Sequence, residues 1–178
     1  MLLKIVFYSA VVVLAYWGYR HFSTPSHQLA VGQAAPYFDL EDTKGQQVNL
    51  HQFKGQWLVL YFYPKDDTPG CTKEACNFRD DMHKLEKLGA KVVGVSVDDK
   101  QSHTIFSKKY NLPFPLLADT EGKVADAYGA LTSIGPVKMA KRYTFLIDPN
   151  NHVAKTYFNV EASTHSQQII DDLQQLKS

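Results

Sequence analysis

The strongest constraint on the fold is a dense run of β-branched and aromatic residues at positions 56–63, with the sequence QWLVLYFY. The run stops at Pro64, and its length and composition are typical of a strand that is buried on both faces of a sheet. After a short loop, apolar residues recur at spacings of three and four through positions 72–89. This spacing predicts an amphipathic helix that packs on the sheet and ends at Gly89.

The rest of the chain continues this alternation of strands and helices. We predict strands at residues 91–97, 116–118, 142–148 and 152–160, and helices at 100–110, 121–129 and 164–177. The order describes an α/β sheet covered by helices, with a hairpin before the last helix. It is the order that a thioredoxin-like fold requires, although the pattern alone does not separate that fold from a flavodoxin-like one.

The N-terminus has a different composition from the rest. Residues 1–19 carry Lys4 as their only charge, and a helix of that length spans about 28 Å, close to the bilayer hydrocarbon thickness of about 30 Å. We therefore predict that residues 1–21 are a single-pass membrane anchor, with a cleaved signal peptide and a buried core helix as alternatives. A weak charge asymmetry favours a periplasmic domain. Residues 22–32 are predicted to be a linker, and residues 33–178 the folded domain.

Charge and metal-ligand content argue against two classes of function. The 19 basic and 18 acidic residues leave a formal net charge of +1, without the basic excess that is typical of nucleic-acid-binding domains. Only two cysteines are present, and the seven histidines contain no pair at metal-ligand spacing. We therefore expect neither a nucleic-acid partner nor a metal site.

Cys71 lies at the predicted junction of loop and helix, directly after Pro69 and Gly70. First-turn N–H groups of a helix lack intrahelical partners, and the helix dipole adds a partial positive charge. Both effects favour a thiolate, which is a nucleophile when it is accessible. A buried and inert cysteine is the alternative, which the Pro-Gly loop disfavours. The hydroxyl of Thr68 can point at the same volume or take part in an ordinary turn, and spacing leaves both interpretations open.

Cys76 follows Cys71 by five positions on the same predicted helix. In an intact α-helix, Cα atoms five residues apart are about 8.6 Å apart, whereas a disulfide requires Cα atoms within about 7 Å. The two cysteines therefore either never bond, or bond only when the helix unwinds locally. Three charged neighbours, Asp66, Asp67 and Arg79, are interpreted as surface residues.

The segment YPKDDTPGCTKEAC at positions 63–76 resembles the active-site segment of peroxiredoxins. Pro64, Thr68 and Cys71 match the family pattern Pro-x-x-x-Thr-x-x-Cys. The second cysteine and the Pro-Gly-Cys-Thr run are similar to the bacterioferritin comigratory protein (PrxQ) subfamily. Residues 31–40 resemble the start of the family's domain, and residues 142–149 resemble its late strand, which begins with an arginine.

This resemblance implies a thioredoxin-like fold with a central mixed β-sheet flanked by helices. It implies that Cys71 attacks a hydroperoxide and that Cys76 resolves the resulting sulfenic acid. It also implies that Arg142 keeps Cys71 ionised, that Thr68 hydrogen-bonds the substrate and that Pro64 shields the pocket. A thioredoxin-like reductant is the implied partner, no cofactor is implied, and we expect a monomer because both cysteines belong to one chain.

Two other functions remain open at this point. One is a membrane-tethered thiol–disulfide oxidoreductase, although such enzymes usually carry their cysteines in a C-x-x-C arrangement. The other is a redox-sensing module in which a partner protein recognises a Cys71–Cys76 switch.

Overall fold

The central strand β3 (Trp57–Phe62) divides the hydrophobic interior into two cores. The computed structural model describes residues 28–178. Leu58, Leu60 and Phe62 pack into one core, whereas Val59 and Tyr61 pack into the other. Because successive side chains of a strand point to opposite faces, this division means that both faces are covered. The predicted buried strand is therefore confirmed.

Five strands form the main sheet, in the spatial order β5-β4-β3-β8-β9. Besides β3, they are β4 (Ala90–Ser96), β5 (Leu116–Ala118), β8 (Tyr143–Ile147) and β9 (Val153–Tyr157). β4 runs parallel to both β3 and β5, whereas β8 runs antiparallel to both β3 and β9. The sheet is mixed, as predicted. Its register pairs Phe62 with Tyr143, so the end of β3 lies beside the start of β8.

Helices cover both faces of this sheet. They are α1 (Pro69–Asp80), α2 (Met82–Lys87), α3 (Lys100–Tyr110), α4 (Lys123–Ala127) and α5 (His165–Lys177). Residues of α1, α2, α3 and α5 share one core with Val59 and Tyr61, and α4 packs on the opposite face. The arrangement confirms the predicted central mixed sheet flanked by helices.

The single helix predicted at residues 72–89 is in fact two helices that meet at Asp81. The Asp81 carboxylate accepts hydrogen bonds from Lys84 Nζ and Ser166 Oγ, each over 2.7 Å. An aspartate whose side chain is bound locally and to another helix favours a helix boundary over a helix interior. The first of the two helices also begins earlier than predicted, at Pro69, because proline is well tolerated in the first turn.

Two small hairpins were not predicted from the sequence. β1 (Asp39–Glu41) pairs with β2 (Gln47–Asn49), which leads into a 3-10 helix at Leu50–Phe53. β6 (Leu131–Ile134) pairs with β7 (Val137–Ala140). Each of these strands has only three or four residues, which is too short for an alternating pattern to stand out.

The ordered packing begins inside the segment that was predicted to be a linker. Leu29 is buried in the first core, and the N–H of Gly32 donates to the carbonyl oxygen of Val153 over 2.8 Å. Residues 29–32 therefore belong to the packed domain, because a buried leucine and a strand-like hydrogen bond tie them to β9.

The membrane-anchored localisation predicted above is corrected here. Within residues 28–178, no helix combines the length and the apolar character needed to cross a bilayer. The proposed anchor, residues 1–21, lies outside the described residues.

Candidate active site

The loop after β3 delivers Cys71 to the first turn of α1. Pro69 occupies the first turn, Thr68 is the N-cap, and the first helical hydrogen bond runs from Thr72 N to Thr68 O over 2.8 Å. The N–H groups of Gly70 and Cys71 therefore have no carbonyl acceptor within the helix. The Cys71 side chain points into the core beside Tyr61, and only 1% of the residue is exposed.

Arg142 brings a positive charge to this sulfur. Because β8 is antiparallel to β3, the residue just before β8 emerges where the chain leaves β3 for the Cys71 loop. The Nη2 atom of Arg142 donates to Cys71 Sγ over 3.2 Å. The β6–β7 hairpin ends next to it, closed by a 2.6 Å hydrogen bond from Lys141 N to Ala130 O. The two predicted site residues Cys71 and Arg142 are thus in direct contact.

Because Gly70 has no side chain, it leaves room for the guanidinium of Arg142. A Cβ atom at this position would lie 3.1 Å from Arg142 Nη2, which is tighter than nine in ten natural Cβ contacts. The glycine therefore lets the arginine approach the helix start closely enough to reach the sulfur of Cys71.

Glu74 is the site residue that sequence reasoning missed. It lies one turn after Cys71, its side chain is fully buried, and its Oε2 accepts a hydrogen bond from Arg142 Nη1. Burial raises the pKa of Glu74 to about 7, although the charge and hydrogen bond of Arg142 act in the opposite direction. The available signal was a glutamate three positions after the cysteine, on the face that the apolar residues of the helix define.

One guanidinium therefore faces two groups that can carry a negative charge, Cys71 and Glu74. Burial lowers the pKa of Arg142, but the negative charges of Glu74 and Cys71 outweigh this effect, and its pKa is raised overall. Arg142 remains a cation, and its planar fork fits two acceptors at once. The arrangement holds the sulfur beside a fixed positive charge in a mostly water-free environment.

Tyr61 lines the floor of the site. Its hydroxyl and Glu74 Oε1 are the two buried side-chain polar atoms that lack a hydrogen-bond partner within residues 28–178. Burial, reinforced by the negative charges of Glu74 and Cys71, raises the pKa of Tyr61 well above its usual value. Tyr61 therefore stays protonated and neutral beneath the cysteine.

Cys76 lies on the same helix and is half-buried. Neither cysteine forms a disulfide in this structure. Both cysteines belong to one continuous helix, which holds their Cα atoms too far apart for a disulfide, so they cannot bond while this helix is intact.

Thr68 and Pro64 lie in the loop that leads to Cys71, and the Thr68 hydroxyl makes its hydrogen bond within this loop. The Thr68 hydroxyl donates to the carbonyl oxygen of Lys65 over 3.1 Å, which is the turn interaction that the sequence left open. Pro64 is half-buried at the point where β3 gives way to the loop. The hydrogen bond of Thr68 and the position of Pro64 at the end of β3 give both residues a role in shaping the loop.

Asp66 is not the solvated loop charge that we expected. It is 7% exposed, and its carboxylate accepts hydrogen bonds from Tyr63 Oη over 2.8 Å and from Ser102 Oγ over 2.7 Å. Its Oδ2 also lies 2.8 Å from Nδ1 of the buried His103 on α3. A buried carboxylate needs such partners. The network ties the middle of the Cys71 loop to α3.

Asp66, His103 and Asp98 form the one group in the described part of the chain whose ligand atoms could converge on a metal ion. These atoms are already engaged with each other and with neighbouring groups: Asp98 Oδ2 accepts from Asp66 N and Ser96 Oγ, and His103 Nε2 contacts Leu117 O. The group is explained by its structural role of bracing the loop.

Comparison with known proteins agrees with this geometry. The model of the AhpC/TSA family matches residues 31–156. The putative peroxiredoxin bcp of Coxiella burnetii is 42% identical over 149 residues, covering 82% of this chain and 99% of the relative. The peroxiredoxin Bcp of Bacillus subtilis is 42% identical over 153 residues, covering 84% of this chain and 96% of the relative.

The crystal structure of peroxidoxin BcpB from Mycobacterium tuberculosis has a similar fold, with a TM-score of 0.80 and 31% identity. The match covers 85% of this chain and 100% of that one. It confirms the thioredoxin-like fold. With relatives of this kind over most of its length, and with a cysteine held against an arginine at a helix start, this chain is a thiol-dependent peroxidase that belongs to the AhpC/TSA family, among the peroxiredoxins of the Bcp or PrxQ type.

Proposed function

We propose that Cys71 is the residue that reacts with the hydroperoxide, whether hydrogen peroxide or an organic hydroperoxide. The observation that carries this proposal is the 3.2 Å contact between Arg142 Nη2 and Cys71 Sγ at the start of α1. A thiolate at a helix N-terminus beside a guanidinium is the reactive form of the residue. Cys76, farther along the helix, has a less favourable position relative to the dipole.

In the first step, the Cys71 thiolate attacks the nearer oxygen of the peroxide and the O–O bond breaks. Cys71 becomes a sulfenic acid, and the leaving alkoxide or hydroxide takes up a proton to give an alcohol or water. The N–H groups of Gly70 and Cys71 and the Arg142 guanidinium are the donors nearest to the developing negative charge. Thr68 and Pro64 shape the pocket in which the peroxide lies.

In the second step, the Cys76 thiol attacks the sulfenic sulfur of Cys71, a disulfide forms and water leaves. This step requires the first turns of α1 to unwind, because the intact helix holds the two cysteines apart. A thioredoxin-like dithiol then attacks the disulfide and restores both thiols by exchange. The whole cycle needs only one chain, so a monomer is sufficient.

Mass spectrometry of peroxide-treated protein tests the two roles separately. Cys71→Ser is expected to abolish peroxide consumption, and Cys76→Ser is expected to retain one equivalent of consumption but to lose turnover with a thioredoxin system. Peroxide turnover by the Cys71→Ser variant would contradict the first role. If oxidised wild-type protein contains no intramolecular Cys71–Cys76 bond, Cys76 is not the resolving residue.

A further inference from the structure

Tyr110, the last residue of α3, contacts both ends of the segment that carries the two cysteines. Its hydroxyl donates to Asp67 Oδ1 over 2.6 Å, four residues before Cys71. Its carbonyl oxygen accepts from Arg79 Nη1 over 2.7 Å, three residues after Cys76. One residue outside the helix therefore holds the chain on both sides of residues 71–76.

We call these two contacts of Tyr110, with Asp67 and with Arg79, the clamp. At its Asp67 end, further interactions fix the backbone and the carboxylate. Asp67 adopts a left-handed backbone conformation with φ of 56°, which is uncommon outside glycine, asparagine and aspartate. Its carboxylate also pairs with Lys109 Nζ over 2.6 Å. The hydrogen bond from Lys109, which has the larger effect, and the hydrogen bond from Tyr110 both lower the pKa of Asp67. The contacts stabilise a turn that Asp67 would otherwise adopt less often.

The Arg79 guanidinium binds two oxygen acceptors and also lies close to the Cys76 side chain. Its Nε donates to Asp80 Oδ1 over 2.8 Å, as expected for a surface residue, while Nη1 reaches across to Tyr110. The ring of Tyr110 packs edge-on against the buried Phe106, with centroids 5.3 Å apart, so α3 supplies a rigid base for both contacts.

We propose that Tyr110 is a positioning residue for the disulfide-forming step, and that its clamp on Asp67 and Arg79 opposes the unwinding of α1. The inference rests on the proposed function, in which Cys76 resolves the sulfenic acid. Unwinding moves the backbone between residues 67 and 79, which the two contacts hold at its ends. While both contacts persist, the opened segment is tethered at its two ends and gains less conformational entropy.

The clamp has a chemical consequence. The Cys71 sulfenic acid has two fates: Cys76 attacks it and releases water, or a second hydroperoxide oxidises it to a sulfinic acid and is itself reduced to an alcohol or water. Only the first fate requires unwinding. Because the clamp slows the unwinding, it prolongs the life of the sulfenic acid and increases the share of Cys71 that is lost to over-oxidation at high peroxide.

The test is rapid-mixing kinetics combined with mass spectrometry on three variants. Tyr110→Phe removes the hydroxyl bond to Asp67 but keeps the ring and the carbonyl. Arg79→Lys releases the other end while keeping a positive charge beside Cys76, so that the environment of that thiol changes as little as possible. Tyr157→Phe is the control, because it removes a tyrosine–aspartate hydrogen bond of the same 2.6 Å length, in the buried core at Asp172, without contacting Asp67 or Arg79.

For both clamp variants we expect the peroxide-dependent phase, which reports sulfenic acid formation, to be unchanged. The following phase, which is independent of peroxide concentration, should become about 3- to 10-fold faster, since a hydrogen bond at a solvent-accessible carboxylate contributes modestly. The peroxide concentration that converts half of Cys71 to sulfinic acid should rise by a similar factor. The Tyr157→Phe variant should match wild type in both measurements.

Two contrary results are distinguishable. If wild type shows the second phase but Tyr110→Phe and Arg79→Lys behave like Tyr157→Phe, the clamp proposal is wrong and the proposed function stands. If wild type shows no second phase and no Cys71–Cys76 disulfide, resolution by Cys76 is wrong, and the clamp proposal fails with it.

Discussion

Arg142 donates a hydrogen bond to the sulfur of Cys71 over 3.2 Å, although 71 positions separate the two residues in the chain. The antiparallel register of β3 and β8 creates this contact, because it places the residue before Tyr143 beside the end of β3. The same guanidinium also binds Glu74, so one arginine organises the whole site.

Arg142→Lys should lower the rate constant of the peroxide reaction by about 10- to 100-fold. Lysine keeps the charge but loses the planar fork that reaches Cys71 and Glu74 together. The measurement is the peroxide-dependent rate of sulfenic acid formation in a Cys76→Ser background, where no second step interferes. Lys141→Arg is a suitable control because it alters the neighbouring cation and leaves Arg142 in place. An unchanged rate in Arg142→Lys would mean that the fork is dispensable.

Glu74→Gln should change how stability depends on pH. Burial raises the folded-state pKa of Glu74 from 4.5 to about 7. Folding therefore favours the protonated carboxyl of Glu74. The stability that this protonation contributes is fully present below pH 4.5 and is lost as the pH rises toward 7. The difference in unfolding free energy between wild type and Glu74→Gln should fall across this window, by about 3 kcal/mol at most.

Denaturant unfolding at several pH values measures this difference. Glu86→Gln, which alters an exposed carboxylate on α2, is the control and should show no comparable trend. A difference between wild type and Glu74→Gln that stays constant from pH 4.5 to 7 would show that the Glu74 carboxyl does not titrate there.

Gly70→Ala should separate stability from activity. Alanine favours a helix over glycine by up to about 1 kcal/mol, so the melting temperature should be maintained or raised. Its Cβ atom would approach Arg142 Nη2 to 3.1 Å and push the guanidinium away from Cys71. We expect the peroxide reaction to slow by about 3- to 10-fold, because the charge-assisted contact between Arg142 and Cys71 is weakened. A stable variant with the wild-type rate would show that the guanidinium adapts freely.

Gly94→Ala should destabilise the fold by about 1 to 3 kcal/mol through overpacking. A Cβ atom in the middle of β4 would lie 2.7 Å from the ring and hydroxyl of Tyr61 and 2.8 Å from Leu116. Tyr61→Phe removes the unpartnered hydroxyl, so the double variant should be more stable than the sum of the two single changes predicts. Strict additivity in denaturant unfolding would show that the clash with Tyr61 is relieved in another way.

The sequence by itself determined the parts that depend on local pattern. The apolar run of β3, the stop at Pro64 and the helical spacing after it are properties of neighbouring residues, and the structure has these elements within a few positions of the predictions. The placement of Cys71 at a helix start follows from the same pattern. Resemblance to peroxiredoxins supplied Arg142, which no local pattern marks.

Tertiary structure alone decided which charges are buried. Asp66 and Glu74 look like ordinary polar residues of a loop and a helix, yet the first is braced by α3 and the second is enclosed beneath Arg142. The break at Asp81 likewise depends on Ser166, far along the chain. A local pattern reports the faces of one element, whereas the burial and pairing of a charge depend on which distant elements the sheet register and helix packing bring against it.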